Sequence, residues 1–332
     1  MTEIQKHPVF KLVESLFRGA GNVVFQDNAL SGLLIIIGIG LSSWTAAVDF
    51  LIGAAIATIA ALWFRADRHA IDHGMFAFSG GYVGLLMGVL LANELPFLTS
   101  EWLLLLVLGS VLAVPLTAGL GFAFGKLNIS ATALPILLLL WAIMAGVLYT
   151  NLPQNSVAPQ VLPAGQTAAY TWETFVFGIL NGFGQIFVQV NPVTGALILL
   201  GILINSRIAG LMAILGGATA VLVASVLGYD EPVVQNGVVA FNSILTAIGL
   251  GGFFLMFDGR SVVYALIGSL LALWVFLVMA VLLNPLGLPA LSIGFVLVVA
   301  IMMLGAQTYG FVKVVPLEEI GRPEDLLSAA RK

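Results

Sequence analysis

The chain has 332 residues, of which 60% are hydrophobic and 8% charged, with 12 basic residues, 16 acidic residues and no cysteine. Soluble domains run about half apolar and about a quarter charged, so a water-soluble protein of this size could not cover its surface, and the mean hydropathy of +1.10 agrees. A soluble enzyme, a nucleic-acid binder and a disordered chain are thereby excluded, as are disulfides and thiolate chemistry, and a polytopic all-α membrane protein remains.

The first 18 residues are polar and lack the short apolar run and small-residue cleavage site of a signal peptide, so they read as part of the mature protein. Over 8–25, Val9, Leu12, Val13, Leu16 and Phe17 share one face at helical spacing. Half of that segment is polar, which fits an interfacial or re-entrant helix, with a loose surface helix as the alternative. A hydrocarbon core of about 30 Å needs roughly 20 apolar residues per crossing helix. Runs of that kind lie near 29–45, 46–64, 75–92, 102–124, 132–150, 192–205, 208–228, 238–257, 261–283 and 289–311, which makes ten spans. The segments 8–27 and 170–190 are left over, each directly before a span.

With a cytoplasmic N-terminus, ten crossings bring all 12 basic residues to one side, among them Arg65, Arg68, Lys126, Arg207 and Arg260. The opposite loops carry Asp49, Glu94, Glu101, Asp230 and Glu231. This is a positive-inside pattern and predicts a multi-pass protein of the cytoplasmic (inner) membrane with both termini cytoplasmic. Asp67, His69, Asp72 and His73 fall in one loop, where solvation is the commoner fate and metal binding the rarer one; no metal and no cofactor is expected. Asp27 sits at the edge of the first polar segment, in either a helix-end or a pore role. The middle of every expected span lacks an ionisable residue, whereas ion-coupled carriers usually place one at membrane depth. That pattern points to a passive conduit and not to an enzyme.

The chain matches itself at an offset of 163 residues: Gly21, Gln26, Asn28 and Gly32 recur as Gly184, Gln189, Asn191 and Gly195. Gly74, Ala77, Phe78 and Gly88 recur as Gly237, Ala240, Phe241 and Gly251. Five spans per half is an odd number, so the second half would enter the membrane inverted, a transporter pattern with the solute path near the midplane. The expected organisation is a first inverted repeat over 1–150, an external linker over 151–169, a second repeat over 170–315 and a cytoplasmic tail over 316–332. Gly80, Gly84 and Gly88, and likewise Gly121 and Gly125, recur every four residues, which suits close helix packing.

Polar residues that approach membrane depth come in repeat-related pairs. Gly21-Asn22-Val23-Val24-Phe25-Gln26-Asp27-Asn28 corresponds to Gly184-Gln185-Ile186-Phe187-Val188-Gln189-Val190-Asn191, and Phe78-Ser79 to Phe241-Asn242. Amides beside apolar rings suit a small, neutral, polar solute. Here the sequence resembles the urea transporter family, through Asn191-Pro192-Val193-Thr194-Gly195, Phe241-Asn242-Ser243-Ile244-Leu245-Thr246 and Leu288-Pro289-Ala290-Leu291-Ser292. The resemblance implies ten transmembrane helices plus two re-entrant pore helices, passive transport of urea or a closely related amide, and a homotrimer with one pore per protomer. It places the polar pore positions on Asn22 and Gln185, flanking apolar positions on Val23, Phe25, Ile186 and Val188, and slot residues on Phe78, Tyr82, Phe241 and Leu245. The hydroxyl position falls on Ser292, with Thr132 as its approximate mate. Asn22 is one methylene shorter than the family glutamine, Gln185 stands where glutamate is common, Ser79 replaces asparagine and Ala29 replaces proline, so the first half is the more diverged.

Three rivals stand beside this reading. An ammonia channel would ordinarily carry internal histidines. A non-transporting assembly subunit would give no solute-specific flux. A coupled carrier would depend on an ion gradient.

Overall fold

The computed structural model describes residues 8–93, 95–148 and 169–330. The expected linker (apart from Ala169), Glu94, Lys6, His7 and the basic pair Arg331 and Lys332 lie outside the described residues. Among the described residues the regular structure is helical, with one isolated antiparallel bridge between Leu255 and Val314. The chain forms two compact units, Met1–Gly121 with Ala133–Val157, and Phe122–Thr132 with Ala158–Lys332.

The first unit contains α1 (Pro8–Asn22), α2 (Ala29–Ser42), α3 (Trp44–Trp63), α4 (Arg68–Asp72), α5 (Met75–Leu90), most of α6 (Ser100–Gly125) and α7 (Leu134–Leu148). The second contains α8 (Trp172–Gln185), α9 (Pro192–Asn205), α10 (Arg207–Val226), α11 (Glu231–Gln235), α12 (Phe241–Gly252), α13 (Gly259–Leu283), α14 (Ile293–Ala306) and α15 (Pro323–Ala330). Four helices, Trp44–Trp63, Ser100–Gly125, Arg207–Val226 and Gly259–Leu286, are long and apolar enough to cross a membrane. The other apolar runs form shorter helices, of which α12 is 12 residues long where an uninterrupted run over 238–257 suggested more. The run breaks because the chain uses Val239 and Ala240 as a turn before α12 and leaves the helix again at Phe253.

Helix starts explain the register within each unit. Asn28 accepts from the backbone N–H of Leu30 and Ser31, and Asn191 from those of Val193 and Thr194, so each asparagine caps the next helix. Ser43 and Ser206 do the same for α3 and α10. Each such cap is worth about 1 kcal/mol. Glycine sets the close approach of α3 and α5: a Cβ on Gly53 of α3 would lie 2.3 Å from the Gly80 carbonyl oxygen of α5. By contrast a Cβ on Gly121 or Gly125 would meet nothing within 4 Å among the described residues, so this expected packing pair has no close helix neighbour there.

Asp49 requires a correction. The break between α2 and α3 falls at Ser43, which puts Asp49 inside α3 and not in a loop. It is 1% exposed and takes a hydrogen bond from the Trp102 side chain. Its Oδ2 occupies the space that a side chain at position 88 would need, 1.8 Å from the site of a Gly88 Cβ. The Gly88 position is therefore spoken for by a carboxylate.

The second unit closes its own C-terminal tail. Val315 N–H donates to the Phe254 carbonyl and Met256 N–H to that of Lys313. Leu317 N–H donates to Asn128 Oδ1. Glu324 of α15 accepts from the Ser206 hydroxyl and from the Ile208 N–H, supplying an acid at the N-terminus of α10, where helix donors are otherwise unsatisfied.

Candidate functional site

Two turns, one per unit, share a local design. At the end of α1, Val24 and Gln26 N–H both donate to the Gly21 carbonyl and Phe25 N–H to that of Asn22. At the end of α8, Phe187 and Gln189 N–H donate to Gly184, and Val188 N–H to Gln185. The turn reverses at Phe25 (φ 63°) and Val188 (φ 56°), non-glycine residues in the left-handed region, a conformation that costs energy and clusters at functional sites. Gln26 and Gln189, nearly inaccessible, hold each turn from inside by donating to the carbonyls of Val24 and Phe187. A side chain at Gly21 or Gly184 would collide with the carbonyl oxygen of that glutamine, at 2.1 and 2.3 Å.

The two expected amide positions also match. Asn22 Nδ2 donates to the His73 carbonyl at 2.7 Å, and Gln185 Nε2 to the Asn236 carbonyl at 3.2 Å. Each acceptor precedes a glycine, Gly74 (φ 74°) or Gly237 (φ 75°), that turns the chain toward the slot helix. With its amide hydrogen engaged, each side chain keeps its oxygen as an acceptor of a further N–H. Val23 and Ile186 are buried beside these amides. On α5 the rings of Phe78 and Tyr82 stack with centroids 6.2 Å apart. On α12 Phe241 meets Phe276 edge-on at 5.2 Å, and Leu245 is buried one turn along.

Ser292 precedes α14. It is 2% exposed, and its Oγ has no hydrogen-bond partner. Its turn is held by Asn242, whose Nδ2 donates to the Leu291 carbonyl and whose Oδ1 accepts from the Phe295 N–H. Asn242 is thus the clamp of the hydroxyl position, a role that motif spacing alone did not give. In the first unit Ser79 stands where the repeat would have Asn242, and it is engaged instead by the Thr117 hydroxyl. Thr132, whose Oγ1 is also buried without a partner, makes its own turn through Ser130 Oγ. Its φ of 47° equals that of Leu291 (48°) within a degree, and α7 starts two residues later, as α14 does after Leu291. In backbone position Thr132 is therefore the mate of Leu291, and Ala133 stands at the place of Ser292. One residue of register separates this from the expected pairing.

Asn181, one turn before Gln185 on α8, is a polar residue that the sequence did not single out. It is 5% exposed, its Nδ2 donates to the Gln235 carbonyl, and its Oδ1 has no partner. The charged residues near the first turn have other tasks. Asp27 joins Arg18 (2.7 Å) and His73, and Arg18 also holds Glu14. Asp67 caps α4, and Asp72 takes Lys11 and Arg68. Asp67, Asp72 and His73 are in this way engaged in a cap and in ion pairs, and His69 stacks on the His73 ring.

The chain combines apolar helices of spanning composition with, in each unit, an amide-bearing turn and a ring pair, Phe78 with Tyr82 or Phe241 with Phe276. The profile of the urea transporter family matches residues 13–307, and the chain belongs to that family. It is 27% identical to rat (Rattus norvegicus) urea transporter 1 over 96% of this chain and 84% of that protein. The corresponding figures are 26% for the mouse (Mus musculus) protein and 25% for the sheep (Ovis aries) protein, with the same coverage.

Proposed function

We propose that the protein passes urea passively down its gradient across the cytoplasmic membrane. The observation that carries this reading is the duplicated amide turn, Asn22 on His73 and Gln185 on Asn236, in a chain of the urea transporter family. Urea is flat and neutral, with four N–H donors and one carbonyl acceptor. Removing each of its groups from water without replacement bonds costs about 2–7 kcal/mol. Side-chain oxygens of Asn22 and Gln185 return part of that, each bond netting about 0.5–1.5 kcal/mol. Weak bonds in series suit a conduit, because tight binding slows exit. By the family resemblance the solute also passes Val23, Phe25, Phe78 and Tyr82 of the first unit and Ile186, Val188, Phe241 and Leu245 of the second, with the hydroxyls of Ser292 and Thr132 as further contacts. The residues assigned to the solute are all uncharged, so none of them offsets the desolvation of an ion.

The finer reading follows the family: ten spans, α1 and α8 as re-entrant helices, two inverted repeats, and a homotrimer with a pore in each protomer. In length α1 and α8, with 15 and 14 residues, match α2, α7, α9 and α14, which have 14 or 15; their polar content sets them apart, with Lys11, Glu14 and Arg18 in α1 and Glu173, Asn181 and Gln185 in α8. The one-sided distribution of basic residues supports cytoplasmic termini. The decisive experiment is stopped-flow shrinkage of liposomes with urea, glycerol, formamide and ammonia as solutes. Selective acceleration of urea supports the proposal, and equal rates with empty vesicles refute it.

A further inference from the structure

Away from the amide turns, the first unit holds a cavity of about 220 Å³ walled by α1, the end of α3 and α4. Its apolar wall is Leu12, Leu62 and Ile71, and its polar rim is Lys11, Arg68 and Asp72. Asp72 takes Arg68 Nε at 3.0 Å and Lys11 Nζ at a long 3.6 Å. The terminal guanidinium nitrogens of Arg68 have no partner among the described residues, and this side chain is 59% exposed. The hydroxyls of Thr58 and Ser15, which also face the cavity, already donate to the carbonyls of Ala54 and Leu12. The unspent donors are thus cationic, and the rim carries one net positive charge.

The depth of the cavity follows from its neighbours. Trp63, the last residue of the spanning-length α3, is 77% exposed and packs on Phe64 with ring centroids 5.1 Å apart. Exposed tryptophan at the end of an apolar helix marks the headgroup level of a bilayer. The second unit provides an internal control. At the repeat offset Lys11, Arg68, Asp72 and Trp63 become Thr174, Glu231, Gln235 and Val226. There the Thr174 hydroxyl donates to Glu231, and Thr174 is fully buried. The same pairing of a long helix with a short one is closed and acidic in one unit, open and cationic in the other. Helix packing alone does not require the cations.

We propose that this cavity holds the headgroup phosphate of an anionic phospholipid, with Lys11 and Arg68 on the phosphate and an acyl chain along Leu12, Leu62 and Ile71. Lysine and arginine at headgroup depth favour anionic lipid, and the apolar wall distinguishes a lipid from a soluble phosphate ester. Asp72 sets the strength, since the phosphate must share both cations with it.

The test is native mass spectrometry of the full chain with dioctanoyl phosphatidylglycerol, dioctanoyl phosphatidylcholine and glycerol 3-phosphate. The expected result is one phosphatidylglycerol per protomer, retained about tenfold over phosphatidylcholine and not displaced by glycerol 3-phosphate. The double variant Lys11→Gln/Arg68→Gln should lose this preference while keeping wild-type urea flux in zwitterionic vesicles. Asp72→Asn, which frees both cations, should retain the anionic lipid more strongly and covers the case in which the double variant fails to fold. Equal retention of the two lipids, an unchanged preference in the double variant, or displacement by glycerol 3-phosphate would each overturn the assignment. None of the lipid-retention readouts depends on which solute the pore carries.

Discussion

Replacing Gln185 by leucine isolates the amide from everything else at its position. The side chain is 9% exposed, so leucine of similar length fills the space. The fold loses the 3.2 Å bond to the Asn236 carbonyl. That bond nets about 0.5–1.5 kcal/mol, and burying an additional apolar side chain offsets part of the loss. Folding should therefore survive. On the proposed reading the solute loses more, because Gln185 Oε1 would replace a water on a urea N–H and in the variant nothing would. One or two lost bonds of about 1 kcal/mol each raise the barrier enough for roughly a tenfold drop in flux.

The assay is urea flux per folded protomer in liposomes, with oligomer recovery checked by gel filtration. Asn22→Leu should act alike through its bond to the His73 carbonyl. Ser328→Ala in the exposed part of α15 should be silent and serves as the control. Wild-type flux in a well-folded Gln185→Leu protein would show that this amide does not touch the solute, and the paired-turn argument would fail with it.

Asn242→Ala removes both bonds that hold the Leu291–Phe295 turn, leaves buried partners unsatisfied at about 1–3 kcal/mol each, and should lower both thermal midpoint and urea flux; a variant with an unchanged midpoint would contradict the clamp. Gly53→Val places a side chain against the Gly80 carbonyl of α5 and should abolish recovery of folded protein, whereas Gly121→Ala should fold normally, as gel filtration will reveal. Glu324→Ala removes the acceptor at Ser206 and Ile208 and should cost about 0.5–2 kcal/mol, read as faster proteolysis of the tail at unchanged urea flux. Urea flux at a fixed gradient should be insensitive to a protonophore and only weakly saturable; collapse on adding the protonophore would mean coupled transport.

The helical class, the apolar segments and both amide turns were legible because their causes are local. An asparagine that caps the next helix, a glycine that cannot carry a Cβ and a run of apolar residues leave marks in the chain itself. The offset of 163 residues made the second mark of each kind a check on the first. Asp49 was misread for the opposite reason. What makes a carboxylate tolerable inside α3 is a missing side chain at Gly88 and a donor on Trp102, and neither is near it in sequence. The same holds for Asn242, whose two partners lie about fifty positions away.

The one-residue error at Thr132 has a more specific origin. In the second unit the hydroxyl turn is fastened from outside by Asn242, so its sequence carries the family motif through to Ser292. In the first half of the sequence position 79 is serine, and the turn at Thr132, which belongs to the second compact unit, is fastened from inside by Ser130. The first half has no asparagine at the place of Asn242, and around 132 the hydroxyl residue stands one position before the place of Ser292 in backbone conformation. The divergence of the first half thus includes Ser79 and the changed surroundings of Thr132, beside Asn22 and Ala29. If that is so, flux through Thr132→Val and Ser292→Ala should not respond equally. Ser292 sits where its clamp fixes it, and its loss should slow urea more than loss of the Thr132 hydroxyl. Matched flux losses in the two variants would show that both hydroxyls reach the solute alike and that the register argument has no functional consequence.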